Sequence, residues 1–263
     1  DRRIPWVEAN GHLAIVIDDV GRELLYTNRL LALPFPLTFS IVPGGVYADG
    51  MQARAMQDRR RYRELMLHLP MEPSTADVMH AGVERREDFL LLEDSAEQLR
   101  SKTKEAFARV PGAMGFNNHM GSGLTTDEQA MEVVMSAAIE VGAHFFLDSR
   151  TTAATRAEEV ARRRGLLTGA RDIFLDHDPT PAAVQSTLRE AFARAKLTPT
   201  VLIAHPSAAV VSALQAGLPE AFSQGVGVYP LSELLAREAE NSAARAGGSS
   251  KTSGLSPGAL ERR

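Results

Sequence analysis

Five separate segments of this chain end a run of apolar residues on a carboxylate or an imidazole. The run at 14–17 leads into Asp18 and Asp19, and 65–67 into His68. The run at 145–147 leads into Asp148, 174–175 into Asp176, His177 and Asp178, and 201–204 into His205. A further segment, 115–123, carries Asn117, Asn118 and His119 among Gly115, Gly121 and Gly123, which suits a tight loop pressing polar groups against a ligand. Oxygen and imidazole donors without a thiolate fit a divalent metal with an open position, and three protein ligands plus water suit zinc. Such an ion acidifies water and polarises a carbonyl. A free carboxylate beside it can act as a base, and a histidine across the pocket can protonate a leaving group. Taken singly, an Asp after a strand is an ordinary helix cap or turn former. Capping does not account for His68 and His205 at the same relative place. The adjacent charges of Asp18 and Asp19 also repel unless a cation shares the site.

Other chemistry is excluded by the residue inventory. The chain has no cysteine, so a disulfide framework, a thiolate zinc site and a cysteine nucleophile are all absent. Its net charge of −4 lacks the basic excess of a general nucleic-acid binder. Ser122 makes no nucleophile elbow, since Met120 stands where that turn needs glycine. No zincin helix, dinucleotide loop or EF-hand loop is present, and His12, His80 and His144 are given no chemistry. No apolar run reaches the roughly 20 residues of a membrane span. No leader sequence is visible, and the opening Asp1 reads as a processed or trimmed terminus.

The elements that must hold these residues follow from the hydrophobic pattern. With 263 residues, 44% of them hydrophobic and 24% charged, the chain can bury a sizeable core. Short apolar runs at 13–17, 37–42, 65–67, 144–147, 173–175, 201–204 and 226–229 read as buried parallel strands. Amphipathic stretches at 94–110, 126–141, 153–164, 180–195, 207–216 and 231–240 alternate with them, the second opening on the capping pattern Thr126-x-x-Gln129. This alternation predicts a parallel sheet, either doubly wound or closed into a barrel. In both, strand C-terminal ends share one face, where ligands bind. The charge-rich segments 59–63 and 83–89 read as solvated faces or loops. Residues 241–263, rich in Gly, Ser and Ala with only Leu255 and Leu260 large and apolar, read as a flexible low-complexity tail behind a single domain at 1–240.

Six ordered segments carry a family resemblance. They are Ile15-Val16-Ile17-Asp18-Asp19-Val20-Gly21, His68-Leu69-Pro70-Met71-Glu72, Asn117-Asn118-His119-Met120-Gly121-Ser122, Phe146-Leu147-Asp148-Ser149-Arg150-Thr151, Arg171-Asp172-Ile173-Phe174-Leu175-Asp176 and Ala204-His205-Pro206. Across residues 12–238 the chain resembles the divergent polysaccharide deacetylase family, the YibQ-like group of bacterial envelope proteins, which is related to the NodB-type carbohydrate esterases. The resemblance implies a distorted (β/α) barrel of about seven parallel strands. It implies Asp18 as catalytic base, His205 as the catalytic histidine, and Asp19 and His68 as metal ligands. The second histidine of the family's His-x-x-x-His motif is replaced here by Glu72, and the segment 117–122 stands in the region of an Arg-Pro-Pro-Tyr-type motif. His119 or Glu72 then supplies the third ligand, and His119 keeps an Asp-His-His set. Asn117, Asn118 and Asp148 are expected to position substrate or the groups behind the ligands.

The function expected on this basis is a zinc-dependent hydrolase that deacetylates an envelope polysaccharide or a peptidoglycan-derived glycan, in the periplasm or secreted, with no nucleic-acid partner. The alternative is a non-catalytic carbohydrate-binding or scaffold protein of the envelope that retains the fold. A metal-dependent phosphoesterase, drawing on Arg150 and Arg171, is a third reading.

Overall fold

The computed structural model describes residues 1–57, 61–74 and 88–249. Nine strands form one all-parallel sheet: β1 (Gly11–Val20), β2 (Thr38–Ile41), β3 (Glu64–Met71), β4 (Gly115–Met120), β5 (Phe145–Asp148), β6 (Leu167–Ala170), β7 (Ile173–Phe174), β8 (Thr200–Ala204) and β9 (Val226–Tyr229). Their order is β6-β5-β4-β3-β2-β1-β8-β7, with β9 joined to the first half of β1. Helices α1 (Leu25–Leu31), α2 (Ala48–Gln57), α3 (Ala96–Arg109), α4 (Glu128–Glu140), α5 (Ala157–Arg163), α6 (Pro181–Ala195), α7 (Ala208–Ser223) and α8 (Leu231–Ser249) fill the connections.

The sheet curls until its edges meet. The edge strands β6 and β7 are joined by Arg171 and Asp172 alone, and three residues of chain reach about 11 Å at most. That crossing is hydrogen-bonded on both sides, Arg171 N–H to Asp148 O at 2.9 Å and Asp172 N–H to Val201 O at 3.0 Å. The barrel is thus closed by covalent chain where the ladder stops.

Strand alternation sorts the side chains into two layers. Leu13, Ile15 and Ile17 of β1 join the large outer core under the helices, while Ala14 and Val16 face inward. The inner cluster continues with Met66, Phe145, Leu147, Val201 and Ile203, and Leu231, Leu234 and Leu235 of α8 plug it from below. That plug is tied to the first residues of two strands. Leu231 N–H donates to Thr38 Oγ1 at 3.1 Å, Ser232 N–H donates to Glu64 Oε1 at 3.2 Å, and the Ser232 hydroxyl also donates to Glu64. Above the apolar layer, the same alternation points Asp18, Ser40, His68, Asn117 and His205 inward.

The architecture departs from the sequence expectation in identifiable ways. Among the described residues nine strands form where about seven were expected. The segment read as a glycine-rich loop is β4, in mid-sheet between β3 and β5. Its interior positions are polar because they line the site, so hydrophobicity does not mark it. Gly115 is required there because a Cβ would lie 2.5 Å from Phe145. Strand β6 is short and only half-buried, and α1 and α2 lack a strong apolar period. Asp127, not Thr126, caps α4, its carboxylate accepting from Ala130 N–H at 2.9 Å. Thr126 ends the preceding 3-10 turn, with its hydroxyl on Gly123 O. Arg63, read as part of a solvated segment, is buried and donates to Leu31 O, Leu33 O and Phe35 O. The other charge-rich segment lies mostly outside the described residues, as does His80.

α8 runs past Glu240 to Ser249, into the segment expected to be a tail, because its Ala- and Arg-containing sequence favours helix. Residues 241–245 are exposed, and up to residue 245 the last buried position of the helix is Leu235; residues 250–263 lie outside the described residues. Deleting 241–263 is therefore expected to leave the melting temperature unchanged within error, since little apolar area is lost. A clear drop on truncation shows that the segment docks.

Candidate metal and acid–base site

The double aspartate reaches the site by a break in strand geometry. Regular alternation sends Asp18 and Asp19 to opposite faces of the sheet. The β1–β2 register shifts between Ile17 and Val20, and Asp19 takes the left-handed φ of 56°. This bulge turns both carboxylates toward one ring: Asp19 Oδ1 lies 3.3 Å and Asp18 Oδ2 3.7 Å from His68 Nε2. Met120 and Arg150, at the ends of β4 and β5, also take positive φ, of 53° and 49°. Such backbone costs on the order of 1–3 kcal/mol per residue and is concentrated here at the ligand-binding face.

His68 and His119 come from adjacent strands. Their rings lie on one face because His68 pairs with Asn117 and Pro70 with His119 in the β3–β4 register. Three atoms converge: Asp19 Oδ1, His68 Nε2 and His119 Nδ1, with separations of 3.3, 3.3 and 3.1 Å. Asp19 Oδ1 is buried and has no hydrogen-bond partner of good geometry. The separations match the edge of a tetrahedron, about 3.3–3.4 Å, whose centre is about 2.0–2.1 Å from each vertex, as a zinc ion requires. An orphaned carboxylate oxygen with two imidazole nitrogens in that spacing fits a divalent cation. These are the residues the structure groups as able to hold one. Burial opposes ionisation of Asp19, but its imidazole neighbours His119 and His68 hold its carboxyl well below the usual range.

Arg22 closes the outer side of this group. Its Nη1 donates to Asp19 Oδ2 at 3.0 Å and its Nη2 to His119 Nε2 at 3.0 Å. A guanidinium only donates, so this contact puts the His119 ring proton on Nδ1. A cation held by Nδ1 would need that proton at Nε2, where it would displace the Arg22 contact with His119; the Arg22 bond to Asp19 Oδ2 would be compatible with it. Arg22→Gln is expected to tighten zinc binding about tenfold, because a fixed positive charge beside the ligands is removed. Competition with a chelating dye measures it; weaker binding by the variant means that orienting Asp19 is the larger effect.

Behind the ligands sits Asn117, fully buried. Ser40 Oγ (2.6 Å) and His68 Nδ1 (2.7 Å) meet its Oδ1, and its Nδ2 reaches Asp18 Oδ1 (2.9 Å) and Ser149 Oγ (3.1 Å). On the other edge of β1 from β2, β8 pairs so that Ile17 matches Ala204, which sets His205 level with Asp18. His205 Nδ1 lies 3.4 Å from Asp176 Oδ1, and its ring meets Phe174 edge-on at 5.2 Å. Arg171 stacks on the same phenyl ring at 5.3 Å and donates to Ser149 O. Burial disfavours the His205 imidazolium, but the Asp176 hydrogen bond and the charges of Asp19, Asp18 and Asp176 outweigh it and push its pKa up to about 9.

That shift has a sign. A raised histidine pKa contributes stability that is complete below its unfolded value of about 6.5 and lost as pH rises through about 9. In chelator, the gap in melting temperature between the parent and His205→Gln is expected to shrink between pH 7 and pH 10. A gap independent of pH over that range removes the charged-imidazole account.

The structure therefore brings Asp18, Asp19, His68, His119 and Asn117 into contact and sets His205 beside them. Three other residues are turned to different use. Asn118, buried, accepts from Ser149 N–H and donates to Met120 O, and so organises the ends of β4 and β5. Asp148 is fully buried, with its carboxylate on Arg150 N–H and Thr155 Oγ1 at 2.8 Å each; burial pushes its pKa up. It alternates with Leu147, whose side chain lies in the barrel interior, and so points away from the cluster. Glu72 accepts from Leu92 N–H and is not in the ligand group. Ser40, Arg22, Ser149 and the pairing of Asp176 with His205 escaped the sequence reading. Only Asp176 carried a signal, its place at a strand end.

Residues 15–235 match the family model of the divergent polysaccharide deacetylases. The chain belongs to that family. The Escherichia coli protein YibQ, itself uncharacterized, is 32% identical over 78% of this chain, which spans 61% of YibQ's length. Among solved structures, the uncharacterized protein ATU2773 of Agrobacterium tumefaciens superposes with a TM-score of 0.76 at 24% identity, over 88% of this chain and 92% of its own. A mutant of BA3943 from Bacillus anthracis, described as a CE4 family pseudoenzyme with restored enzymatic activity, gives 0.51 at 14% identity, over 86% and 67%. At those identities the two structures establish the shared fold, the distorted barrel of the CE4 and NodB-type proteins.

Proposed function

We propose that this protein is a metal-dependent hydrolase that removes acetyl groups, from nitrogen or oxygen, on a polysaccharide or peptidoglycan-derived glycan of the bacterial envelope, and that it works in the periplasm or outside the cell. The observation that carries the reading is the ligand group of Asp19, His68 and His119 beside a buried second carboxylate, Asp18, and a histidine, His205, paired with Asp176. Zinc suits that donor set, and when bound it supplies Lewis acidity for the acetyl carbonyl and for a water. The chain's own groups do the rest. Asp18 has Oδ1 occupied by Asn117, which leaves Oδ2 to take the proton of the attacking water. His205, held charged beside Asp176, donates a proton to the sugar nitrogen or oxygen as the acyl bond breaks. Water is consumed, and acetate and the free amine or hydroxyl leave.

The test begins with the metal content of purified protein, followed by acetate release from acetylated chitooligosaccharides and peptidoglycan fragments. Metal at one equivalent with acetate release supports the reading. The second reading, a glycan-binding protein that no longer turns over, is favoured by Glu72 at the place of the second motif histidine and by the fold it shares with the wild-type BA3943 pseudoenzyme. Bound metal and bound glycan without acetate release, across every glycan tested, select it.

A further inference from the structure

Asn117 touches no solvent, yet it holds both kinds of catalytic group at once. One end of its amide faces Asp18 and Ser149, the other Ser40 and His68. Hydroxyls can donate or accept, and a neutral imidazole nitrogen can do either, so three of the four neighbours leave the amide orientation open. Asp18 does not. An ionised carboxylate only accepts, so Nδ2 must face it at 2.9 Å, and Oδ1 must face His68. An accepting oxygen 2.7 Å from His68 Nδ1 then requires the ring proton on Nδ1. In the neutral ring the lone pair is then on Nε2, the atom that converges with Asp19 Oδ1 and His119 Nδ1. Ser40, which donates to the same oxygen at 2.6 Å, reinforces the orientation.

We propose that Asn117 is a positioning residue that couples the base to the metal ligand. The charge on Asp18 orients one amide, and that amide holds His68 in the only neutral tautomer able to ligate through Nε2. Asn117 therefore does not bind substrate; it lets one buried side chain prepare two groups from strands far apart in sequence. The proposal rests on the roles given above to Asp18 and His68.

Four measurements test it, and three are independent of turnover. In metal-free protein with 15N-labelled histidine, long-range proton–nitrogen spectra are expected to show His68 protonated at Nδ1. Asn117→Asp should keep that tautomer, since a carboxylate still accepts, whereas Asn117→Leu should lose the single tautomer. In Asn117→Asp, zinc affinity should stay within about threefold of the parent, because His68 keeps its acceptor. Its kcat should fall on the order of 10²-fold with KM within about threefold, because two carboxylates face each other and Asp18 is withdrawn from proton transfer. The exchange variant Asp18→Asn/Asn117→Asp restores one donor opposite one acceptor. Its melting temperature should return toward the parent while turnover does not, which separates positioning from mere packing.

A parent His68 whose neutral ring is protonated at Nε2 and not at Nδ1, a rise in KM at unchanged kcat, or loss of zinc from Asn117→Asp as complete as from His68→Ala each overturns the proposal. If the parent releases acetate from no glycan, the hydrolase reading fails, while the tautomer and zinc measurements still decide the coupling.

Discussion

Asp19→Asn is expected to strip the divalent cation from the protein and to abolish turnover with it, while Asp18→Asn keeps the cation and loses turnover alone. The contrast follows from the bulge at the end of β1. Asparagine tolerates the left-handed backbone that Asp19 adopts at φ 56°, so the substitution keeps the local fold and removes only the charge. Among the described residues three protein ligands converge, and Asp19 supplies the one anionic ligand of that group. Loss of a group that merely supports a ligand costs about 10–100-fold in metal affinity, and loss of a ligand costs more. His68→Ala should behave like Asp19→Asn for the same reason. Asp18 Oδ2 stands 3.7 Å from His68 Nε2, beside the group rather than in it. Asp18→Asn should retain one equivalent of metal and lose at least about 10²-fold in kcat. Metal analysis after dialysis and acetate-release kinetics on the three variants decide the matter. Metal retained by Asp19→Asn, or parental turnover in Asp18→Asn, removes the corresponding role.

The largest expected effect on stability lies at the other end of the barrel. Glu64 begins β3 with its carboxylate buried among the Thr38 hydroxyl, the Ser232 hydroxyl and the Ser232 N–H, and it joins α8 to the floor of the sheet. Burial pushes its pKa up, against the hydrogen bonds that favour the charge. Glu64→Ala leaves those donors facing a small cavity under Leu231, Leu234 and Leu235. Stranded buried donors cost about 1–3 kcal/mol each, and three donors at the lower end of that range give about 3 kcal/mol in all. For a chain of this length that corresponds to a fall of about 6–12 °C in melting temperature. Glu64→Gln keeps an acceptor and should lose about 1 kcal/mol. Because the floor is distant from the ligand face, zinc affinity should not change in either variant. A Glu64→Ala protein as stable as the parent shows that α8 does not depend on this tie.

Much of the site is readable along the chain. Short apolar runs mark the strands, parallel strands deliver their last residues to one face, and so Asp18, Asp19, His68 and His205 can be grouped without coordinates. The histidines carry this inference, because capping accounts for aspartate at a strand end but not for imidazole. The same rule misleads where its assumption fails. Strand β4 escaped notice because its inward positions, Asn117 and His119, are the polar lining of the site, and a strand is recognised by apolar residues. Asp148 satisfied the rule and yet serves the turn after β5, because alternation sends it outward from Leu147.

Residue type and order along each strand thus settle which groups arrive at the ligand face, since both are local properties. The tertiary structure alone decides how they are aimed. That Asp18 and Asp19 both turn inward depends on a bulge set by pairing with β2. That Asn117 orients His68, that Arg22 opposes His119, and that Asp176 charges His205 depend on which strands and loops become neighbours. Those partners are 49, 97 and 29 residues apart in the chain. Hydrogen bonds act over about 3 Å and carry no signature in sequence spacing, so only the closed barrel makes them.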